Sequence, residues 1–146
     1  ASGLKKAYLA TGQVFDSEME SRVDLHKARR GSEWKLVEEP LDLAGALEAV
    51  SVADTAVLVD CLTLWVTNLM MAERPTAIEA ERLVDVIQTL PGTIVFVSNE
   101  VGLGIVPDNA MARAFRDHAG LLHQAVAAVA DEVYFVAAGL PLKMKG

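Results

Sequence analysis

The chain has 146 residues and a formal net charge of -7, and both figures narrow the classes of protein to which it can belong. Hydrophobic residues make up 52% and charged residues 23%, which excludes a disordered chain and predicts one domain with a single core. The acidic balance argues against a dedicated nucleic-acid-binding domain, and the single cysteine, Cys61, excludes a disulfide framework and a thiolate metal cage.

The first predicted elements are a short strand and a capped helix. The segment Ala7 to Ala10 is apolar without alternation, which is typical of a strand that is covered on both faces of a parallel sheet. Ser17, followed three residues later by Glu20, forms a capping-box pattern. This pattern predicts a helix that runs to about Arg30.

His26 is a candidate catalytic residue on this predicted helix. Arg22 precedes it by four residues, and Arg29 and Arg30 follow it by three and four. Residues at these spacings share a helix face, where guanidinium groups can neutralise phosphate oxygens while a neutral imidazole attacks phosphorus. Apolar residues also align with His26, so a packed histidine on a solvated basic helix remains an alternative.

The next predicted strand, Ala56 to Val59, is closed by Asp60. An apolar strand that ends in an acid is the pattern of the Walker B element, which holds Mg²⁺ in P-loop nucleotide enzymes. Such an acid can equally begin an ordinary turn. Thr67 and Asn68 follow on a short predicted helix, where they are either site residues or packing polar residues.

The C-terminal half continues the alternation of helices and strands. Ile78 to Leu90 has apolar residues on roughly one helix face, and Pro91-Gly92 is expected to end that helix. Thr93 to Val97 predicts a third strand. Asp108 is expected to cap a helix through Ala130, and Val133 to Val136 predicts a fourth strand.

Strands that alternate with helices predict an α/β fold with a doubly wound, mostly parallel sheet. In such sheets ligands bind outside the carboxyl ends of the strands. Here every predicted strand is followed by polar or glycine residues: Thr11-Gly12-Gln13, Asp60-Cys61-Leu62-Thr63, Ser98-Asn99-Glu100 and Ala138-Gly139. We therefore expect a ligand site at this edge of the sheet.

Several longer segments also follow one another at characteristic distances. They are Tyr8 to Thr11, Arg22, His26-Lys27, Arg30 to Trp34, Glu38 to Leu43, Asp60 to Thr63, Thr67 to Leu69, Ser98 to Pro107, Phe115 to Asp117, and Gly120. The most specific is Asn-Glu-Val-Gly-x-Gly-Ile-Val-Pro, which begins at Asn99. Together they resemble the bifunctional adenosylcobinamide kinase/adenosylcobinamide-phosphate guanylyltransferase family of cobalamin biosynthesis, from about Lys6 to Lys145.

The resemblance implies a P-loop type of fold and two reactions. Members of the family phosphorylate adenosylcobinamide and then transfer GMP from GTP to that phosphate through a guanylylated histidine. His26 matches this histidine, and Asp60 matches the acid that ends the Walker B strand and binds Mg²⁺. Asn99 and Glu100 are expected to orient nucleotide or metal-bound water, and the arginines beside His26 are expected to bind phosphate.

The resemblance and the composition also predict the nucleotide substrates, the assembly and the cellular location of the protein. ATP and GTP are the expected nucleotide substrates, and a homo-oligomer, a trimer in the family, is the expected assembly. No apolar stretch reaches the roughly 18 residues of a membrane span, so we expect a cytoplasmic protein. In the specific motif, Gly102 and Gly104 are expected to allow tight passage of the backbone.

Two departures from the family pattern qualify these expectations. Gly31 stands where family members usually have proline, and no Gly-Lys pair occurs in the 146 residues, although the family carries a G-x-x-x-x-G-K-[ST] phosphate loop. We therefore expect residues 1–146 to form one α/β nucleotide-binding domain that lacks its N-terminal strand, P-loop and first helix. The alternative function is a catalytically silent binding or assembly module that has lost the phosphate loop.

Overall fold

A computed structural model describes residues 3–13, 25, 28–29 and 31–146, and it confirms the α/β fold. These residues form β1 (Lys5–Ala10), β2 (Trp34–Glu38), α1 (Leu43–Val50), β3 (Thr55–Asp60), α2 (Leu62–Met71), α3 (Thr76–Ile87), β4 (Thr93–Val97), α4 (Ala110–Val129), β5 (Val133–Ala137) and β6 (Leu140–Lys145). The helix predicted from Ser17 lies outside the described residues except at Leu25, Ala28 and Arg29, which are helical. Within the described ranges, no helix is both long and apolar enough to cross a membrane.

Four strands form a parallel sheet in the order β2-β1-β3-β4. The register places Asp60 opposite Ala10 on one side and opposite Val97 on the other. The carboxyl ends of β1, β3 and β4 therefore lie at one level. This arrangement confirms the expectation that the polar residues after these three strands share an edge.

The hydrophobic core lies between one face of this sheet and the helices. Side chains alternate between the two faces of a strand, and the apolar residues of β1 and β3 that face the helices are buried. The core comprises Ala7, Leu9, Leu43, Leu47, Val57, Val59, Leu62, Trp65, Val66, Leu69, Leu83, Leu122 and Val126. Because α1, α2, α3 and α4 all contribute to this one cluster, they fix the strands from the same side.

The prediction that the strand Val133 to Val136 belongs to the parallel sheet is wrong. β5 pairs with β6 in a separate antiparallel two-stranded sheet, so Ala138-Gly139 is a hairpin turn and not part of the carboxyl edge. Both turn residues have positive φ values, 52° at Ala138 and 73° at Gly139. Positive φ at both central positions is the geometry of the two-residue turn that joins antiparallel strands.

β4 also differs from the prediction, because it is not covered on both faces. Val95 and Val97 are 49% and 42% exposed, while the alternate residues Ile94 and Phe96 pack against the core. Among the described strands, β4 pairs with β3 alone. Its second edge therefore lacks a partner strand in this part of the chain.

The helix boundaries shift by a few residues from those predicted. α3 begins at Thr76 and ends at Ile87, before Pro91-Gly92. Gly92 has φ 87°, and a Cβ atom there would lie 2.5 Å from the carbonyl oxygen of Val52. The N-cap of α4 is Asn109 and not Asp108, because the Asn109 side chain accepts a hydrogen bond from the Ala112 amide.

Candidate active site at the carboxyl edge of the sheet

Asp60 is held in place by a tyrosine of the neighbouring strand. The register sets Tyr8 opposite Leu58, and alternation brings Tyr8 and Asp60 to the same sheet face. The Tyr8 hydroxyl donates a hydrogen bond to Oδ2 of Asp60. Tyr8 is itself buried and makes an edge-on contact with Trp34, with ring centroids 6.4 Å apart. The orientation of the carboxylate is therefore set by packing on β1 and β2.

The donor chemistry at Asp60 fits a magnesium ion. Mg²⁺ is usually bound by one or two carboxylates, and substrate phosphates and water supply the remaining oxygen ligands. Among the residues that the structure describes, no three His, Cys, Asp or Glu side chains cluster around a possible metal position. A nucleotide-dependent magnesium site at Asp60 requires no such cluster.

A buried polar network joins the loops that follow β1, β2 and β3. Thr11 Oγ1 donates to the carbonyl oxygen of Cys61 at 2.7 Å and accepts from the Cys61 amide at 3.0 Å. The Asn68 side-chain amide donates to the carbonyl oxygens of Thr11 at 2.6 Å and Pro40 at 3.0 Å. Asn68 is 3% exposed, so it is a buried packing residue, which is one of the two alternatives considered above. Its role is to fix two loops at the edge.

Asn99 connects the loop after β4 to the start of α2. Its Nδ2 donates to Thr63 Oγ1 at 3.1 Å, and the same hydroxyl lies 3.3 Å from the sulfur of Cys61. Thr63 comes three residues after Asp60, so this contact ties the Asn99 loop to the segment that carries the acid. The structure thus brings Asn99 to the edge where Asp60 lies.

Glu100 shapes the turn that follows. Its Oε1 accepts a hydrogen bond from the Gly102 amide at 2.6 Å, and a Cβ atom at Gly102 would lie 2.8 Å from the same oxygen. A side chain at Gly102 would displace the Glu100 carboxylate, which is the end of an exposed side chain, so this contact does not by itself require glycine. The expectation for Gly104 is wrong, because a Cβ atom there would meet no atom within 4 Å. Glu100 is exposed and acts here on the backbone of its own loop.

Two histidines of α4 pair with hydroxyl groups of other elements. His123 Nε2 lies 2.6 Å from Ser98 Oγ, and His118 Nδ1 lies 2.9 Å from Thr76 Oγ1. Burial lowers the pKa of His123 below its ordinary value of 6.5, although the charge of Glu100 opposes this shift. His123 is therefore neutral near pH 7.

The structure describes only three residues of the helix that is predicted to carry the candidate nucleophile. His26, Arg22 and Arg30 lie outside the described residues, and Arg29 is exposed. The grouping of arginines around His26 therefore stays a prediction. Sequence reasoning also gave Tyr8 no role, because its contact with Asp60 depends on a strand register that a single sequence does not specify.

Comparison with known proteins identifies the family. The family model described as cobinamide kinase / cobinamide phosphate guanyltransferase matches residues 1–144. The bifunctional adenosylcobalamin biosynthesis protein CobP of Pseudomonas aeruginosa is 47% identical over 147 residues, which cover 99% of this chain and 85% of that protein. Two further relatives, from Salmonella typhimurium and Escherichia coli, are described as bifunctional adenosylcobalamin biosynthesis protein CobU. They are 39% and 36% identical to this chain over 153 residues, which cover 94% of this chain and 84% of each relative. This chain therefore belongs to the cobinamide kinase / cobinamide phosphate guanyltransferase family.

Proposed function

We propose that this protein phosphorylates adenosylcobinamide and then transfers GMP from GTP to adenosylcobinamide phosphate. The observation that carries the proposal is the family match, which extends over residues 1–144 and so includes both the described edge and the His26 segment. The hydrogen-bonded position of Asp60 at the carboxyl edge supports it, because nucleotides bind at that edge in doubly wound sheets. ATP and GTP are the proposed nucleotide substrates.

Asp60 is the proposed magnesium ligand. A bound Mg²⁺ ion would neutralise charge on the nucleotide phosphates. The contribution of the chain is to keep the carboxylate fixed, with one oxygen accepting the hydrogen bond from Tyr8. Asn99 and Glu100 are the proposed orienting groups on the adjacent loop, where Asn99 is anchored by Thr63.

His26 is the proposed GMP acceptor. Its imidazole nitrogen attacks the α-phosphorus of GTP, a P–N bond forms, and the bond to the β-phosphate oxygen breaks, so that pyrophosphate leaves with the electron pair. A phosphate oxygen of adenosylcobinamide phosphate then attacks the same phosphorus, and the P–N bond breaks to restore the imidazole. Arg22, Arg29 and Arg30 are the proposed partners of the phosphate oxygens during both steps.

The cradle for the β- and γ-phosphates is proposed to come from a strand and a P-loop beyond the 146 residues. Two observations support this: the chain contains no Gly-Lys pair, and in the described residues the second edge of β4 has no partner strand. A parallel strand on that edge would end beside Ser98-Asn99-Glu100. Its loop would then face the same edge as Asp60.

We also propose a cytoplasmic homo-oligomer, with a trimer as the assembly that the resemblance implies. Exposed apolar side chains beside the edge support an interface: Leu103 is 80%, Ile105 97%, Val106 65% and Met111 72% exposed. Light scattering of the purified protein measures the assembly directly.

A labelling experiment tests the GMP-transfer proposal. Incubation of the full-length protein with α-labelled GTP should give an adduct that is labile in acid and stable in base, as expected of a phosphoramidate. His26→Ala should abolish the adduct and GMP transfer but leave most of the kinase activity, because phosphorylation of the cobinamide hydroxyl needs no covalent enzyme intermediate. His118→Ala is the matched control and should label normally, since His118 bonds to Thr76 on the helix side. Retention of the label in His26→Ala would show that another residue accepts GMP.

The same assay separates this function from the alternative of a catalytically silent module. A silent module would produce neither phosphorylated cobinamide nor the labelled adduct, even with a full-length chain and both nucleotides present.

A further inference from the structure

The loop after β4 is fastened to α4 at three points. Arg113 Nη1 donates to the carbonyl oxygen of Pro107 at 2.9 Å, and Arg116 Nη2 donates to that of Gly102 at 2.7 Å. His123 Nε2 lies 2.6 Å from Ser98 Oγ at the end of the strand. These contacts span the loop from its first residue to its last turn.

The three side chains share one face of the helix. Arg113 and Arg116 are three residues apart, and Arg116 and His123 are seven apart, and both spacings return to the same face of an α-helix. The helix itself is anchored by Leu122 and Val126 in the core. The contacts therefore connect the loop to a helix that is packed into the core.

Apart from the hydrogen bond from Asn99 to Thr63, the described residues give the loop little other support. In the single chain Leu103 and Ile105 are 80% and 97% exposed, so burial of their side chains within the chain does not hold the backbone. At Gly102 the amide is bound by Glu100 and the carbonyl oxygen by Arg116, so one peptide segment is held from both sides. A hydrogen bond from a charged guanidinium is roughly twice as strong as one between neutral groups.

We infer that Arg116 and His123 are positioning residues that fix the Ser98–Gly102 segment and thereby keep Asn99 and Glu100 aligned with the nucleotide site. Neither residue needs to touch the substrate. The inference rests on the proposed function, because Asn99 and Glu100 have the orienting roles proposed above.

Paired substitutions in the full-length protein test the inference. Arg116→Met removes the donor at similar length, whereas Arg116→Lys retains a charged donor for the Gly102 carbonyl. His123→Leu removes the polar contact, whereas His123→Gln retains a polar group near the position of Nε2. Lys5→Met is the control, because Lys5 makes an exposed ion pair with Asp54 at 2.8 Å at the amino end of β1, opposite the carboxyl edge.

The expected result is a loss of kcat with a smaller change in the nucleotide KM. Misplacement of orienting groups by about 1 Å can lower the rate about 100-fold, so Arg116→Met and His123→Leu should lose about 10-fold to 100-fold in kcat for both reactions. Arg116→Lys and His123→Gln should recover most of the rate, and Lys5→Met should match the wild type. Backbone amides of residues 98–102 should exchange hydrogen faster in Arg116→Met and His123→Leu than in the wild type.

Two results would overturn the inference while leaving the proposed function intact. One is an active wild type whose Arg116→Met and His123→Leu variants keep full kcat, even if their melting temperatures fall. The other is an equal loss of kcat in the conservative and non-conservative variants, which would indicate a role other than the hydrogen bond. A wild type that lacks both activities would instead refute the proposed function, and the positioning role with it.

Discussion

At Asp60, a carboxylate that the sequence places at a strand end acquires its orientation from another strand. The apolar run closed by an acid was sufficient to predict the position of Asp60, because both features are local. The hydrogen bond from Tyr8 was not predictable, because it requires the register between β1 and β3. The site around His26 stays a prediction for a different reason, since that residue lies outside the described part of the chain.

The hydroxyl of Tyr8 should therefore control the affinity for magnesium. Loss of a hydrogen bond to a metal-binding carboxylate typically costs 10-fold to 100-fold in metal affinity or activity, so Tyr8→Phe should raise the Mg²⁺ concentration for half-maximal activity by about that factor. Asp60→Asn should depress both activities even at saturating Mg²⁺. Thermal stabilisation by Mg²⁺ and nucleotide together provides a readout that does not depend on turnover.

Trp34→Phe is the control for this prediction, because it alters the aromatic contact of Tyr8 without removing the hydroxyl. An unchanged magnesium dependence in Tyr8→Phe would show that the tyrosine does not orient the ligand. Unchanged kinetics of Asp60→Asn at limiting Mg²⁺ would remove Asp60 from the site.

Among the elements, the sequence predicted α2, α3, α4 and three of the four parallel strands, because each has a clear apolar run or helix periodicity. It missed β2 and α1, and it placed β5 in the parallel sheet. β2 is short and mixes polar with apolar residues, and β5 is apolar in the same way as a buried strand. Local composition cannot distinguish an antiparallel hairpin strand from a parallel strand unless the turn at Ala138-Gly139 is recognised.

The N-terminus of α4 yields a prediction about stability, because two adjacent residues there are both of types favoured at helix N-caps. The Asn109 side chain accepts from the Ala112 amide at 2.8 Å, so Asn109→Ala should lower the free energy of unfolding by about 1 kcal/mol. Asp108→Ala removes the neighbouring residue that the sequence pattern favoured, and it should change stability by less than about 0.5 kcal/mol. Urea unfolding of the two variants measures the difference, and a larger loss for Asp108→Ala would assign the cap to Asp108.

For the whole molecule, the absence of a Gly-Lys pair from residues 1–146 should limit nucleotide binding by these residues alone. A protein confined to residues 1–146 has Asp60 and the Asn99 loop but no Gly-Lys pair to enclose the β- and γ-phosphates. We expect this chain to bind GTP weakly by calorimetry, and a longer chain that adds a strand and P-loop to bind it well. Tight, Mg²⁺-dependent GTP binding by residues 1–146 alone would contradict the proposal.

The second edge of β4 has a consequence for the behaviour of the protein in solution. In the described part of the chain this edge has no partner strand, and Val95 and Val97 expose apolar surface on one face of the same strand. Unpaired backbone groups on an apolar edge are a template for strand addition by another molecule, which is a route to aggregation. A strand that occupies this edge within the same chain would therefore protect the protein from self-association while it completes the sheet.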